Sequence, residues 1–437
     1  MQNNIIQDKP YNHKVFNPPP KYSIKKNTII GKILAWFIVL WPILSMYISP
    51  IEGMDFFTFT LMGVFLLCLP FLYTRKIRLK KIHYILVVYF AYVFFFTLIN
   101  LFLAELFVGR TLILMRMLRF LMNAVVVFIL AWNFVDFDYL MRVFRKFCLI
   151  CTVYIVLQTV VFYSFRIILP PFINSLTRVD YSHVLYTGVS FFRPTSFFFE
   201  PAHYSEIMIL ALTYCLFRSK FGKKPLTIEA MFLTLGLILS TSGIGILAAV
   251  FLWLVAVAYR VLIAKDKKQK IIYVGVLALM GIATIVLMQI PMFQQTIYRL
   301  NQDGLSAMDM RFFGGIGEFS SLSSFGMIFG SGFGNIPQRA YLYFAGIPYV
   351  LFTHGILGSL LFFALLVYVF IKARGFAKIF IILFVLIFIG SDILTHFFNL
   401  YLVFILLNSK NANKLRLYLN IPVDQLHFIK ANKVRSI

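Results

Sequence analysis

The sequence has 437 residues, of which 61% are hydrophobic and 18% aromatic, while only 13% are charged, against roughly a quarter charged in soluble globular domains. That balance excludes an ordinary soluble enzyme or binding module and points to a polytopic membrane protein. The net charge of +25 raises nucleic acid as a partner, so the distribution of the charge has to decide.

Residues 1–28 are polar and contain the run "NPPPKY". They lack a short apolar core followed by a small-residue cleavage site, so the expectation is a cytoplasmic tail, with the first helix acting as an uncleaved targeting signal. Apolar runs near the ~20 residues needed to cross a bilayer then recur along the chain. They predict about twelve transmembrane helices, at 29–48, 55–73, 82–104, 110–132, 145–164, 201–218, 226–241, 243–262, 271–290, 346–371, 377–390 and 393–408. The fold class is thus an all-α polytopic membrane protein with one membrane domain, 29–408, and two larger loops, about 165–200 and 291–345. Residues 409–437 form a basic tail that mixes apolar and charged positions, a pattern open to a lipid-surface segment or a solvated one.

Basic clusters lie at the N-terminal tail, at "RKIRLKK" (75–81), at 142–146, at "RSKFGKK" (218–224), at "RVLIAKDKKQK" (260–270), at "KARGFAK" (372–378) and in the C-terminal tail. Alternating helices put all of them on one side, which the positive-inside rule makes cytoplasmic, with both termini inside and both long loops outside. Of the 41 basic residues, nine fall elsewhere: Arg110, Arg116, Arg119, Arg166, Arg178, Arg193, Arg299, Arg311 and Arg339. Every one is arginine. The positive-inside rule treats lysine and arginine alike, whereas a planar fork that grips phosphate oxygens in pairs favours arginine. Snorkelling or helix capping is the plainer reading for any single one. Arg116 and Arg119 resist it, because they sit within "RTLILMRMLRFLMNAVVVFIL", three residues apart on one helix face. Each would cost about 2.5 to 3.5 kcal/mol there without a polar cavity or partner.

The four cysteines, Cys68, Cys148, Cys151 and Cys215, fall inside or near apolar runs and imply no disulfide framework. Cys148 and Cys151 make a C-x-x-C, which on a membrane helix reads as packing. No internal repeat is evident, which weakens a transporter built from two related halves.

The segment "FFRPTSFFFEPAHYSEIMIL" (191–210) carries Arg193, Glu200, His203 and Glu206 within an otherwise apolar run. Pro201 suits the first turn of a helix and disfavours helix at Glu200, so a helix is expected to begin there with Glu200 at its cap. A carboxylate at that position is favourable by about 0.3 to 1 kcal/mol, and capping alone would account for it. His203 and Glu206 follow at steps of three, however, and form with Glu200 one stripe of ionisable groups that needs water, one another or a substrate. Further on, "GSGFGN" (330–335) follows no strand in a β-α-β pattern, so its glycines predict tight turns rather than a dinucleotide fold. His354 stands beside Gly355 and Gly358, small residues that permit close helix packing or leave room for a ligand.

These residues resemble a known family. "RPTSFFFEPAHYSEIMILAL" (193–212) is similar to the Arg, Glu-Pro, then small or His motif of Wzy-type polymerases of bacterial O-antigens, capsules and exopolysaccharides, relatives of the O-antigen ligases. The "LSTSGIGILA" hairpin (239–248), the Arg311 loop, the "GSGFGN" turn and the "HGILG" helix follow in the family's order, over residues 110–400. One departure is Gly243, after "STS", where many relatives carry an arginine or similar polar residue. The resemblance implies a GT-C-like membrane glycosyltransferase of the bacterial cytoplasmic (inner) membrane. It would act on undecaprenyl-diphosphate-linked oligosaccharide repeats at the outer face, without metal or other cofactor, and transfer the growing chain with inversion. Its partners would be the lipid-linked donor and acceptor, membrane lipid, and a flippase and chain-length regulator of the same pathway, with no nucleic acid. In this chain it implies Glu200 as general base, His354 as the alternative base and His203 as the neighbour that orients Glu200. Arg116, Arg119, Arg193 and Arg311 are the diphosphate-binding candidates, with Arg339, Glu206 and Tyr204 as further site candidates. An O-antigen ligase, or a flippase of the same lipid-linked oligosaccharide, is the alternative reading.

Overall fold

The computed structural model describes residues 29–408 apart from 52–53, 74–80, 104–105, most of 172–191, 218–226, most of 264–308, 338–343, 374–375 and 392–398. Both expected tails, most of the expected helix 271–290, and Arg178, Arg299 and Arg339 lie outside the described residues. Among the described residues the fold is helical, with one isolated bridge between Ile48 and Asp55.

The helices are α1 (Ile29–Leu44), α2 (Phe56–Tyr73), α3 (Lys81–Leu103), α4 (Arg110–Phe134, π-helical over Val126–Ala131), α5 (Phe137–Phe165), α6 (Pro201–Phe217), α7 (Thr227–Leu239) and α8 (Gly243–Ile263). They continue with two short helices, α9 (Gly314–Ser320) and α10 (Ser324–Phe329), and then α11 (Gly346–Lys372), α12 (Phe376–Gly390) and α13 (Asn399–Asn408). Five spans among them are long and apolar enough to cross a membrane, in α3, α4, α5, α8 and α11. The protein is membrane-embedded.

Two expectations are corrected. α5 begins at Phe137 rather than 145, because Asp136 caps it by accepting from the Tyr139 N–H at 2.9 Å. Arg142, expected ahead of the helix, is instead accommodated on it, lying over the Tyr139 ring with its charge reaching outward past the apolar stem. The expected long loop 291–345 contains α9, α10 and a π-helical turn at Asp309–Phe313. α9 and α10 are only 7 and 6 residues long, too short to show a helical period, and their stability comes from packing on α11.

α6 is the central helix. From Tyr204 to Phe217 every residue is buried, with α5, α7, α8 and α12 packed around it. A helix that is apolar on all sides belongs inside a bundle rather than against lipid on one face. The close approaches are made by small residues. Gly236 of α7 gives the Tyr204 ring room to donate or accept at Thr152 of α5 (3.1 Å), and Gly245 of α8 accommodates Ser205. Tyr204 is thereby a packing residue of the α5, α6 and α7 contact. Cys148, Cys151 and Cys215 are buried cysteines, not joined in disulfides, in the same region.

Charge divides the bundle into two ends. At one end lie Arg142, Arg145 and Lys146 of α5, Arg260 of α8, Lys372 of α11 and Lys378 of α12. There Arg145 grips Glu229 of α7 through two hydrogen bonds, Nε to Oε2 at 2.8 Å and Nη2 to Oε1 at 2.5 Å. The side chains are 17% and 25% exposed, so removing one partner strands a poorly solvated charge. Glu229→Leu is expected to lower the detergent-solubilised melting temperature, by about 1–3 kcal/mol of stability. The double variant Arg145→Met/Glu229→Leu should recover most of that loss. A double variant as unstable as the single would mean that the pair has no mutual dependence. The opposite end, where α4, α6, α8 and α11 begin, carries arginines but no lysine among the described residues. The candidate site lies here.

Candidate functional site

Three groups of polar residues gather at this end. The first is built around α6. Its start at Pro201 follows Glu200, whose carbonyl accepts from the Tyr204 N–H at 3.2 Å. Along the stripe 200, 203, 206 the exposure falls in order: Glu200 is exposed, His203 half-buried, and Glu206 only 1% exposed. The Glu200 carboxylate meets no hydrogen-bonding or ionic partner among the described residues. Glu206 is held. Its Oε1 accepts from Ser391 Oγ at 2.5 Å, just beyond α12, and its backbone carbonyl accepts from the Tyr401 hydroxyl of α13 at 2.8 Å. A buried carboxylate within a membrane bundle requires such donors, and Glu206 uses them to tie α6 to α12 and α13.

Arg193 joins this group through the turn between α7 and α8. Its Nε donates to Thr241 Oγ1 at 3.4 Å, while Ser240 of the same turn meets Ser205 of α6 at 3.3 Å between hydroxyls. The loop before α6, the first two turns of α6 and the α7–α8 turn therefore form one corner. Ser196 fixes the loop, with its N–H donating to Gln158 Oε1 and its hydroxyl to the Cys151 carbonyl, both at 2.8 Å. Arg311 reaches a neighbouring corner. Its carbonyl accepts from the Ala345 N–H at 3.1 Å, beside the start of α11, and its side chain is exposed. Gly346, next in the chain, packs on Phe388 near the end of α12, the helix whose end carries the Glu206 contact.

The second group is the "GSGFGN" turn, which descends along α3, α4 and α11. α11 breaks at Gly355, where φ is 68° and ψ −176°, about 14 Å along the helix from its start at 1.5 Å per residue. Four carbonyls at the break accept from outside the helical backbone ladder. Phe352 accepts from the Ser331 N–H (2.8 Å), Thr353 from the Gly332 N–H (3.1 Å), His354 from the Tyr92 hydroxyl (3.0 Å) and Gly355 from Ser359 Oγ (2.6 Å). Non-helical backbone at this depth survives only where protein or a water-filled cavity satisfies it. From α3, Asn100 donates to the Gly330 carbonyl at 2.9 Å, and Thr97 Oγ1 accepts from the Phe333 N–H at 2.9 Å. From α4, Arg116 Nη1 donates to the Gly334 carbonyl at 2.7 Å. Gly334 is also where the turn needs a residue without Cβ, since one there would press on the Arg116 stem and φ is +80°. Arg116 is half-buried and keeps further N–H donors beyond this bond.

His354 lies inside this second group at 2% exposure. Its Nε2 is 3.2 Å from the Tyr89 hydroxyl and its Nδ1 is 2.6 Å from Thr353 Oγ1. Tyr89 stacks on its face at 5.9 Å between centroids, and Phe333 meets it edge-on at 6.1 Å. Both ring nitrogens are engaged and the ring is covered.

The third group is Arg119 with Asp55, at 3.6 Å. Asp55 caps α2 by accepting from the Thr58 N–H at 2.7 Å, so its charge serves a helix start and an arginine together. Asp55, Thr241, Ser391, Asn100 and Tyr89 were not singled out by their sequence context. Asp55 alone had a local signal, an acid just ahead of an apolar run. Among the described residues no group of three or more His, Cys, Asp or Glu could hold a metal ion.

Compared with known proteins, the sequence matches no family model and no curated protein.

Proposed function

We propose that this protein is a membrane glycosyltransferase of the Wzy type, which joins undecaprenyl-diphosphate-linked oligosaccharide repeats into a polymer at the outer face of the bacterial cytoplasmic membrane. The observation that carries the reading is the corner at α6. An exposed carboxylate, Glu200, without a hydrogen-bonding or ionic partner among the described residues, stands at a helix start seven residues after Arg193, at the arginine-bearing end of an apolar bundle. The lysine-rich end then faces the cytoplasm. The order of "RPTSFFFEPAH", "LSTSGIGILA", "GSGFGN" and "HGILG" along the chain supports the same family.

In the proposed reaction, a hydroxyl of the lipid-linked acceptor attacks the anomeric carbon of the growing chain from the face opposite its diphosphate. The new C–O bond forms as the bond to the diphosphate oxygen breaks, and the electron pair leaves on undecaprenyl diphosphate. The hydroxyl proton passes to the Glu200 carboxylate, and the anomeric centre inverts. A diphosphate is already a good leaving group, so the protein's main contribution is fixed positive charge where negative charge develops. Arg193 and Arg116 supply it, with Arg311 and the undescribed Arg339 as further candidates. Arg119 is partly neutralised by Asp55 and contributes less. Glu200 is the base in preference to His354, whose ring nitrogens are both occupied. His354, Glu206 and Tyr204 act as supports, and the expected orienting role of His203 is not retained, because its ring makes no hydrogen bond to the Glu200 carboxylate.

Deletion of the gene in its native strain tests this reading, with surface glycans and lipid-linked oligosaccharides resolved on gels. Loss of the polymer ladder, with single repeats still reaching the surface, is the expected result. Polymer accumulating on the carrier lipid would instead identify a ligase, and repeats trapped on the cytoplasmic side a flippase.

A further inference from the structure

The "GSGFGN" turn meets α4 and the chain just ahead of it in reverse order. Phe333 stacks on Phe120 at 4.3 Å between centroids. The Gly334 carbonyl accepts from Arg116 Nη1 at 2.7 Å, and Asn335 Oδ1 accepts from the Phe107 N–H at 2.9 Å. One backbone carbonyl therefore anchors the Arg116 guanidinium. Its other two nitrogens, Nε and Nη2, make no hydrogen bond to a described residue and are not sealed inside the protein. Together they form the side-on edge of the guanidinium, a fork that fits two oxygens of a phosphate group.

The direction of that fork depends on the carbonyl that holds Nη1. The Gly334 carbonyl shares its peptide group with the Asn335 N–H, which donates to the Gly332 carbonyl at 3.2 Å. A trans peptide points these two groups opposite ways, so the carbonyl faces Arg116 only while the peptide keeps this orientation. Gly334, at φ +80°, offers little resistance to rotation, because glycine tolerates most backbone angles. The hold has to come from its neighbour. Asn335 is 1% exposed. Besides the Phe107 contact, its Nδ2 donates to the Ser331 carbonyl at 3.0 Å, and its own carbonyl accepts from Ser331 Oγ at 3.1 Å. The side-chain amide thus ties the chain before α4 to the start of the turn, and rotating the Gly334–Asn335 peptide would break both ties.

We propose that Asn335 is a positioning residue, which fixes the Gly334 carbonyl and through it directs the Nε and Nη2 edge of Arg116 at a diphosphate group. The inference rests on the proposed function and assigns to Asn335 no contact with substrate. Its place at the end of a glycine-rich run marks it in the sequence only as a turn residue.

The test uses the purified full-length protein in nanodiscs, titrated calorimetrically with farnesyl diphosphate as a short isoprenyl diphosphate probe, with melting temperatures read alongside. Arg116→Ala is expected to weaken binding about tenfold, a loss of about 1.4 kcal/mol. Asn335→Ala should weaken it about fivefold, and Ser331→Ala, which removes only the hydroxyl on the Asn335 carbonyl, about threefold. In an Arg116→Ala background neither change should weaken binding further, because each acts through that arginine. A residue that merely stabilised the fold would weaken both backgrounds alike. Wild-type binding by Asn335→Ala, or by Ser331→Ala where Asn335→Ala does not fold, with Arg116→Ala impaired, would overturn the inference and leave the functional reading standing. Losses that add in the double variants, or wild-type binding by Arg116→Ala, would overturn it too. A wild-type protein that binds no diphosphate would remove the functional reading and this inference together.

Discussion

Glu200→Gln is expected to lower the rate of repeat-unit joining by about 10²- to 10⁴-fold, the range that a positioned general base contributes, while leaving the protein folded. The two halves of that expectation have separate grounds. The carboxylate is exposed and makes no hydrogen bond or ion pair with other described residues, so its replacement removes at most the helix-end contribution of about 0.3 to 1 kcal/mol. The backbone carbonyl that accepts from Tyr204 is untouched. The amide has nearly the same shape but does not take up a proton at the pH of the reaction, and the acceptor hydroxyl then has to lose its proton to water. Initial rates on lipid-linked repeats, with melting curves of the same preparations, read both halves. A Glu200→Gln protein that polymerises at the wild-type rate would end the base assignment.

Gly355→Ala is expected to damage the fold itself, by about 3 kcal/mol or more. The break in α11 puts Gly355 at φ 68° and ψ −176°, a combination that is essentially confined to glycine. A Cβ there would run into the Gly330 nitrogen and the Ile328 carbonyl. Both obstacles are backbone, so no rotamer change relieves them. Either α11 straightens or the "GSGFGN" turn is expelled, and with it go the bonds that cover the Phe352 and Thr353 carbonyls and the contact to Arg116. Gly317→Ala is the matching control, since a Cβ at that helical position meets nothing within 4 Å. Thermal unfolding in detergent should separate the two clearly, with the Gly317→Ala protein near wild type.

Much of this architecture is legible in the sequence because a bilayer imposes a simple code. Long apolar runs interrupted by lysine and arginine clusters mark where helices lie, and the Pro201 start of α6 follows from proline's fixed φ and missing N–H. The same logic errs at α5, where Arg142 looks like a loop residue until the Asp136 cap is seen. α9 and α10 escape detection because one or two helical turns carry no period. Depth is the other hidden quantity. Glu200, His203 and Glu206 are equivalent as a stripe, yet one is open and one is enclosed by α12 and α13.

The site residues divide along similar lines. Arg193 and Glu200 stand out as ionisable groups in an apolar run. What surrounds them does not, because the partners are remote in the chain and chemically ordinary. Tyr89 and His354 are 265 residues apart, and nothing near either one foretells that the ring will be covered on its face and engaged at both nitrogens. Asp55 and Arg119 likewise come from different helices. Thr241, which accepts from Arg193, lies 48 residues away in the chain.

The most direct measurement is to incubate the purified protein in nanodiscs with lipid-linked repeat units from its own strain, and to follow both the glycan ladder and released undecaprenyl diphosphate. The proposed function predicts a ladder without any other protein, one undecaprenyl diphosphate released for each new linkage, and neither product with Glu200→Gln. Intact single repeats and no released diphosphate, from folded protein given both donor and acceptor, would contradict it.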